Sequence, residues 1–475
     1  MTSFVRHFYT KQTTILKLLK SSFLQEISIS SRSYTSALYV PGKLAYKSFA
    51  FLSPDLDFAH RFDDLQKLQK ELNSRGLDID TKALKDTWDY YQYVLSNKSI
   101  LEEKLNKLSS QIKNIQMKGN LTPECEKEIQ VLIMQCKMIK QNLKTIKEAN
   151  WVLEETFVPQ LLKLPNEINE CTPLDAPVVL KSVGEKPNIP DHKKKNHLEI
   201  GKSLNLLDYR NPIQCYLCND AVSFELGIIR YACKTMSEGG VIQVAGPDFS
   251  RSLVVEGCGL DHENPTDTFI LQSADDTEKD HVLNRLHLVG GASLPALLAI
   301  FTKQVVKTKF LPIKIFTSGR QYIPFPNTPA NYGLFAVCQA SAVQALTLLK
   351  DNDSEGYKNE FQNLVDLTSR IYDTIGCHYR LVLRSAKELN LSDGMRVSFE
   401  MWSAYSNQYI EVGNVSACGD YFSKRLLIGS QSSNRCKYTS VITGTLISVP
   451  KLLGCLLEQN PEKFVLPDKL KDFAI

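Results

Sequence analysis

The sequence predicts an α+β fold: an N-terminal antiparallel helical coiled-coil hairpin, then an antiparallel β-sheet core flanked by helices. Three observations lead there. An a/d stripe of apolar residues runs from Leu84 to Leu153 with one break. A proline-punctuated stretch follows it. Beyond His197, short β-rich runs stand at irregular intervals beside longer helical stretches, the pattern of helices on an antiparallel sheet. A chain of 475 residues has room for two or three domains, and 43% hydrophobic residues supply a large core. The net charge of +4 is mild and leaves the question of partners to local clusters.

Residues 1–54 stand apart. Their only acid is Glu26, while Arg6, Lys11, Lys17, Lys20, Arg32, Lys43 and Lys47 recur among many Ser and Thr. Leu16, Leu19, Phe23 and Leu24 form one apolar helical face. This is the composition of a mitochondrial transit peptide followed by a disordered arm, with "SRSYTS" (Ser31–Ser36) suited to removal nearby. The matrix is the expected compartment, and twelve scattered Cys suit its reducing conditions.

Residues 55–165 read as a long helical hairpin. Leu84, Trp88, Tyr91 and Leu95 begin a seam that resumes at Leu101, Leu105, Leu108, Ile112 and Ile115. A break around Gly119 ends it. Thr122 suits an N-cap and Pro123 the first helical position. The second seam is Ile129, Leu132, Cys136, Ile139, Leu143, Ile146 and Leu153. Steps of three and four make these antiparallel coiled-coil partners, each on the order of 50 Å long. Lys137, Lys140, Lys144 and Lys147 share one side of the second helix. Lys98, Lys104, Lys107, Lys113 and Lys118 add charge on the first. Such lysines hold phosphates through counterion release, without reading bases; a solvated coiled-coil flank carries lysine equally well.

Residues 166–196 read as a linker and 197–475 as the core. "RSLVVEGCG", "YRLVLRS", "SFEMWS" and "QYIEVGNVS" read as strands, Tyr357–Ile375 as a helix, and Pro450–Gln459 as the last helix. "VGGAS" (Val289–Ser293) does not match a phosphate loop. Cys215 and Cys218 lack the second ligand pair that zinc requires, so no metal is expected.

From Gln321 to Leu349 there is no Asp, Glu, Lys, Arg or His. Pro324, Pro326 and Pro329, with Gln339, Ser341 and Gln344, interrupt it too often for a membrane span.

Together the pieces resemble the seryl-tRNA synthetase family of class II aminoacyl-tRNA synthetases. "LPNEIN" and "NHLEIGKSLNLLDYRN" are similar to the family's linker, and "GGVIQVAGPDFSR" (Gly239–Arg251) to its first motif, with Pro247 at the motif's proline. "FLPIK", "HYRLVL", "FEMW", "YIEV" and "DYFSKRL" also match. "TGTLISVPKLLGCLLEQN" (Thr443–Asn460) resembles the third motif. The resemblance implies a class II synthetase-like core with a tRNA-binding arm, and it extends over nearly the whole chain after the leader.

It also implies a degenerate site. Arg320 matches the arginine that grips the α-phosphate, but Tyr322 stands at the glutamate two residues on. Ala336, Cys338 and Ala340 stand at the arginine, histidine and adenine-stacking phenylalanine that follow. Lys451 replaces an arginine and loses its planar fork; Glu411, at the metal-binding glutamate, remains. In the serine pocket, Gly291 stands at a threonine, Ser293 at the ammonium-binding glutamate, and "GNVSA" (Gly413–Ala417) ends in Ala417 where the family has Asn. By this resemblance the chargeless stretch looks like an active-site strand and loop without its working charges.

The resemblance is strongest to a non-catalytic mitochondrial paralogue. It implies no catalytic residue and no cofactor. The expected partners are tRNA, serine tRNA first, or other mitochondrial RNA, and a homodimer or a heterodimer with mitochondrial seryl-tRNA synthetase. The rival expectations are a divergent active synthetase, in which Arg384, Arg396 or Lys424 would replace lost charges, and a structural coiled-coil protein.

Overall fold

A computed structural model describes residues 36–39, 52, 54–55, 58–117, 123–272, 285–324, 332–351, 354–432 and 435–474. Most of the transit peptide, the turn with Gly119 and Thr122, Lys118, and residues 325–331 of the loop after Arg320 lie outside them.

The arm is two long antiparallel helices, α2 (Thr81–Met117) and α3 (Pro123–Leu162), preceded by the short α1 (Leu65–Ser74). Asp64 caps α1, accepting from Lys67 N at 2.9 Å. The two seams face each other: Leu84, Trp88 and Tyr91 are buried on α2, Cys136 and Leu143 on α3. At the base the seam widens into an aromatic cluster of Phe62, Trp88, Tyr91 and Phe157, with centroids 5.6–6.4 Å apart. Arg425 fastens the end of α3 to the core by donating to Leu162 O at 2.9 Å and Leu164 O at 3.2 Å.

The core is an eight-stranded sheet. Its strands are β1 (Val178–Val183), β2 (Ile242–Gln243), β3 (Ile313–Tyr322), β4 (Gln339–Leu349), β5 (Tyr379–Leu383), β6 (Met395–Ser403), β7 (Gln408–Gly419) and β8 (Ser440–Ser448), in the order β1-β5-β6-β7-β8-β4-β3-β2. All neighbours are antiparallel except β2 and β3. Helices α4 (His197–Ser203), α5 (Asp220–Glu238), α6 (Leu294–Ala299), α7 (Glu355–Ile375) and α8 (Val449–Gln459) complete the frame. α5, α7 and α8 bury one face of the sheet, with Phe224, Ile228, Tyr372 and Leu453 packed on Phe316, Val343, Phe399 and Val415.

His197 ties three sequence motifs together. Leu334 N donates to its Nε2 at 3.0 Å, which places the ring proton on Nδ1, 2.7 Å from Glu458 on α8.

Three expectations change. "RSLVVEGCG" is not a strand: Ser252–Gly257 is a short, fully buried helix, because a short apolar run suits either state. The stretch expected to be a linker contributes β1, which pairs with β5, and Asn166 and Asn169 bond Leu391 O and Gly394 O at 2.7 and 2.9 Å. A further helix, Asp468–Lys471, follows α8. No described helix is long and apolar enough to cross a membrane.

Candidate functional site: the polar face of the sheet and the arm

Alternation along the strands separates two faces. The face away from α5, α7 and α8 carries the polar side chains of β3, β4, β6, β7 and β8. Gln321 donates to Ala292 O at 2.5 Å and lies 3.3 Å from Gln344 Oε1. Thr445 donates to Gln344 Oε1 at 2.7 Å, and Gln344 to Thr443 Oγ1 at 3.0 Å. Neutral amides and hydroxyls therefore satisfy one another where the chargeless stretch crosses the sheet.

Further along the same face lies a closed set of charges. Glu411 Oε1 accepts from Arg396 Nη2 and from Asn414 Nδ2 at 3.2 Å. Its Oε2 accepts from Ser398 Oγ at 2.5 Å and Arg384 Nη2 at 3.2 Å. Each carboxylate oxygen thus has two donors. Burial alone would raise the Glu411 pKa; Arg396, Ser398, Arg384 and Lys451 overcome it and hold it at about 2. Both arginines have further partners: Glu400 at 2.7 Å and Glu388 at 3.0 Å for Arg384, Asp393 at 3.5 Å for Arg396. Burial lowers the Lys451 pKa, with Glu411 acting in the opposite sense.

Arg320 is not part of this set. It pairs with Ser341 across β3 and β4, while Gln321 pairs with Ala340. The arginine therefore faces the helix side, where its Nη1 lies 3.3 Å from Glu225 on α5 and its side chain is 49% exposed. This corrects the alignment that set it at the α-phosphate: a shift of one position along a strand changes the face. Tyr322, two positions on, shares that side. Ala336 is buried in the short turn Gly333–Ala336, and Ala417 in the apolar core under the helices. Of the residues aligned to the ATP site, only Glu411 and Lys451 act on each other.

The Gly291–Ser293 turn meets the polar face through Ala292 O, but it is closed. A Cβ on Gly291 would stand 2.6 Å from Gly246 O, a backbone atom, so the family's threonine has no room. Ser293 caps α6, accepting from Ala296 N at 3.4 Å. Gly291 offers no hydroxyl and Ser293 no carboxylate, and each oxygen of Glu411 already accepts from two donors.

On the arm, Lys104, Lys107, Lys113, Lys137, Lys140, Lys144 and Lys147 are exposed, and Lys98 is half-buried. Lys107 pairs with Glu103 at 2.6 Å; Lys147 and Lys144 lie 3.9 and 4.0 Å from Glu102 and Glu148. Lys104, Lys113, Lys137 and Lys140 have no ion pair with a described residue.

Sequence reasoning named Arg384 and Arg396 only as substitutes for lost charges in the rival, active reading and did not foresee their convergence on Glu411. The available signal was the period of two in Arg396, Ser398 and Glu400, which lines three polar groups on one strand face. Lys424, the third candidate, pairs with Asp420 at 3.1 Å.

The family model described as tRNA synthetase class II core domain (G, H, P, S and T) matches residues 281–460. The Drosophila melanogaster protein named serine–tRNA synthetase-like protein Slimp is 24% identical, over 90% of this chain and 89% of that protein. The mitochondrial serine–tRNA ligase of Bos taurus is 23% identical, over 94% of this chain and 85% of its own length. Among solved structures, seryl-tRNA synthetase from Pyrococcus horikoshii complexed with ATP matches with a TM-score of 0.72 at 17% identity, over 88% of this chain and 97% of that one. Residues 281–460 thus match the class II tRNA synthetase core, and over most of its length the chain is similar in sequence to serine–tRNA ligases and the Slimp protein and in fold to seryl-tRNA synthetase.

Proposed function

We propose that the chain is a mitochondrial, non-catalytic paralogue of seryl-tRNA synthetase that binds RNA through its arm. The observation that carries the first part is Glu411, whose two oxygens are each held by two donors from its own sheet. A carboxylate in that state has no lone pair directed at a cation, and Arg384 and Arg396 are neutralised in turn. The blocked Gly291 position supports the same reading for serine. The mitochondrial relative and the basic, acid-poor leader support the location.

RNA binding rests on the exposed lysines of the arm. Their spacing on α3 matches a polyanion laid along the helix and offers no base readout, so tRNA, serine tRNA first, is the expected ligand by resemblance. The sheet ends in the two-residue β2, with Ile242 64% exposed, and Phe249 shortly after it is 54% exposed. These apolar side chains at the first motif favour a pair, with a second copy or with mitochondrial seryl-tRNA synthetase.

The test is ATP–pyrophosphate exchange by the purified, folded protein with each of the twenty amino acids. No exchange is expected with any of them. Exchange above background with one would restore the reading of a divergent synthetase.

A further inference from the structure

The junction between arm and core contains a short segment from far upstream. Glu256, in the buried helix Ser252–Gly257, is 6% exposed. Its Oε1 accepts from Ser36 Oγ at 2.7 Å, and its Oε2 from the backbone N–H groups of Ala37 at 2.5 Å and Leu38 at 2.8 Å. Tyr39 N donates back to Ser36 Oγ at 3.0 Å and closes the turn. Ala37 and Leu38 are 3% and 0% exposed, in one apolar cluster with Val158 and Leu162 of α3 and with Leu253, Val254, Leu297 and Leu298 of the core.

Tyr39 reaches the other way, to the arm. Its hydroxyl hydrogen-bonds Glu154 of α3, and burial first, then Glu154, raises its pKa, so the hydroxyl stays protonated and donates. Glu154 also accepts from Asn150 at 2.5 Å and Tyr91 at 3.4 Å, both on the arm. Four consecutive residues thus satisfy a core carboxylate on one side and an arm carboxylate on the other. A buried carboxylate stripped of its donors is costly, so the Glu256 end depends on the segment, while Glu154 would lose one donor and keep Asn150 and Tyr91.

We propose that Ser36–Tyr39 is a strap that seats the arm on the core, and that maturation of the chain retains it, any leader removal stopping on the N-terminal side of Ser36. The second half rests on the mitochondrial leader proposed above; the first half stands without it.

The strap is tested in the full chain by Glu256→Ala and Tyr39→Phe, read by hydrogen exchange with mass spectrometry. Expected for Glu256→Ala is at least tenfold faster exchange of the amides around Val158–Leu162, with those of Val343–Leu348 unchanged, and a melting midpoint lower by about 2–4 °C. Tyr39→Phe removes only a hydroxyl, keeps the test open if the first variant fails to fold, and should act in the same direction more weakly. Unchanged exchange at the arm base in a folded variant would overturn the strap. Retention is tested by mass spectrometry of the protein recovered from mitochondria. An N-terminus at or before Ser36 is expected, and one after Ser36 would overturn retention. A chain still beginning at Met1 would count against the leader and leave the strap standing.

Discussion

The arm and the polar face of the sheet are both rich in cations, and they use them in opposite ways. On the arm, Lys104, Lys113, Lys137 and Lys140 stand in solvent without a described carboxylate in ion-pair range. On the sheet, Arg384 and Arg396 hold Glu411, Glu400, Glu388 and Asp393 within 3.5 Å. An exposed lysine keeps its charge available to a polyanion, at the cost of being screened by salt. A half-buried arginine with two or three carboxylates is committed, and its loss is felt by the fold. The difference separates a surface whose charges stay open to solvent from a cluster whose charges are spent on one another within the fold.

The sharpest way to break this contrast is Glu411→Ala. If the cluster is structural, removing its centre leaves two partly buried guanidiniums each short of a partner and costs about 2–3 kcal/mol in chemical denaturation. Acid gives the same information. The folded pKa of about 2 lies below the ordinary value of 4.5. The stabilisation is therefore full above roughly pH 4.5 and is lost as pH falls through 2, on the order of 3 kcal/mol. In Glu411→Gln that acid-dependent component should vanish. A variant as stable as the parent, with the same acid profile, would show that Glu411 is not the hub.

On the arm, reversing Lys137, Lys140, Lys144 and Lys147 to Glu should weaken tRNA binding by about 100-fold near 0.1 M salt. It should also flatten the plot of log affinity against log salt by about 3. Stability should be unmoved, because these side chains touch little. An unchanged salt slope would remove the arm from RNA binding and leave a solvated flank.

A smaller effect is expected at Gly291. Gly291→Thr puts back the family's side chain where Gly246 O stands 2.6 Å from the new Cβ. A loss of about 1–3 kcal/mol follows from overpacking against backbone. A threonine accepted without loss would mean that the turn opens readily, and it would weaken the case for a closed serine pocket.

Much of the frame was legible in advance. The seams from Leu84 to Leu153 gave the arm, because a period of three and four is a local property of the chain. The helix expected over Tyr357–Ile375 appears as Glu355–Ile375, and "YRLVLRS", "SFEMWS" and "QYIEVGNVS" lie in β5, β6 and β7. The site was legible as residue types, not as geometry. Arg320 looked like a phosphate ligand by its neighbours, yet the pairing of β3 with β4 turns it toward Glu225. Glu411 looked like a surviving metal ligand, yet Arg384 and Arg396 converge on it from β6 and from the turn after β5.

What the sequence determined by itself is therefore what depends on near neighbours: the helical arm with its lysine stripe, the strands β5, β6 and β7, and the absence of charge from Gln321 to Leu349. What only the tertiary structure decided depends on strand register and on contacts between distant residues. It set the face that Arg320 occupies, the saturation of Glu411, the place of β1 in the sheet and the seat of Ser36–Tyr39 on Glu256. The physical reason is that side-chain direction in a strand inverts with every residue, and a buried carboxylate takes its donors from whichever segments the fold brings beside it.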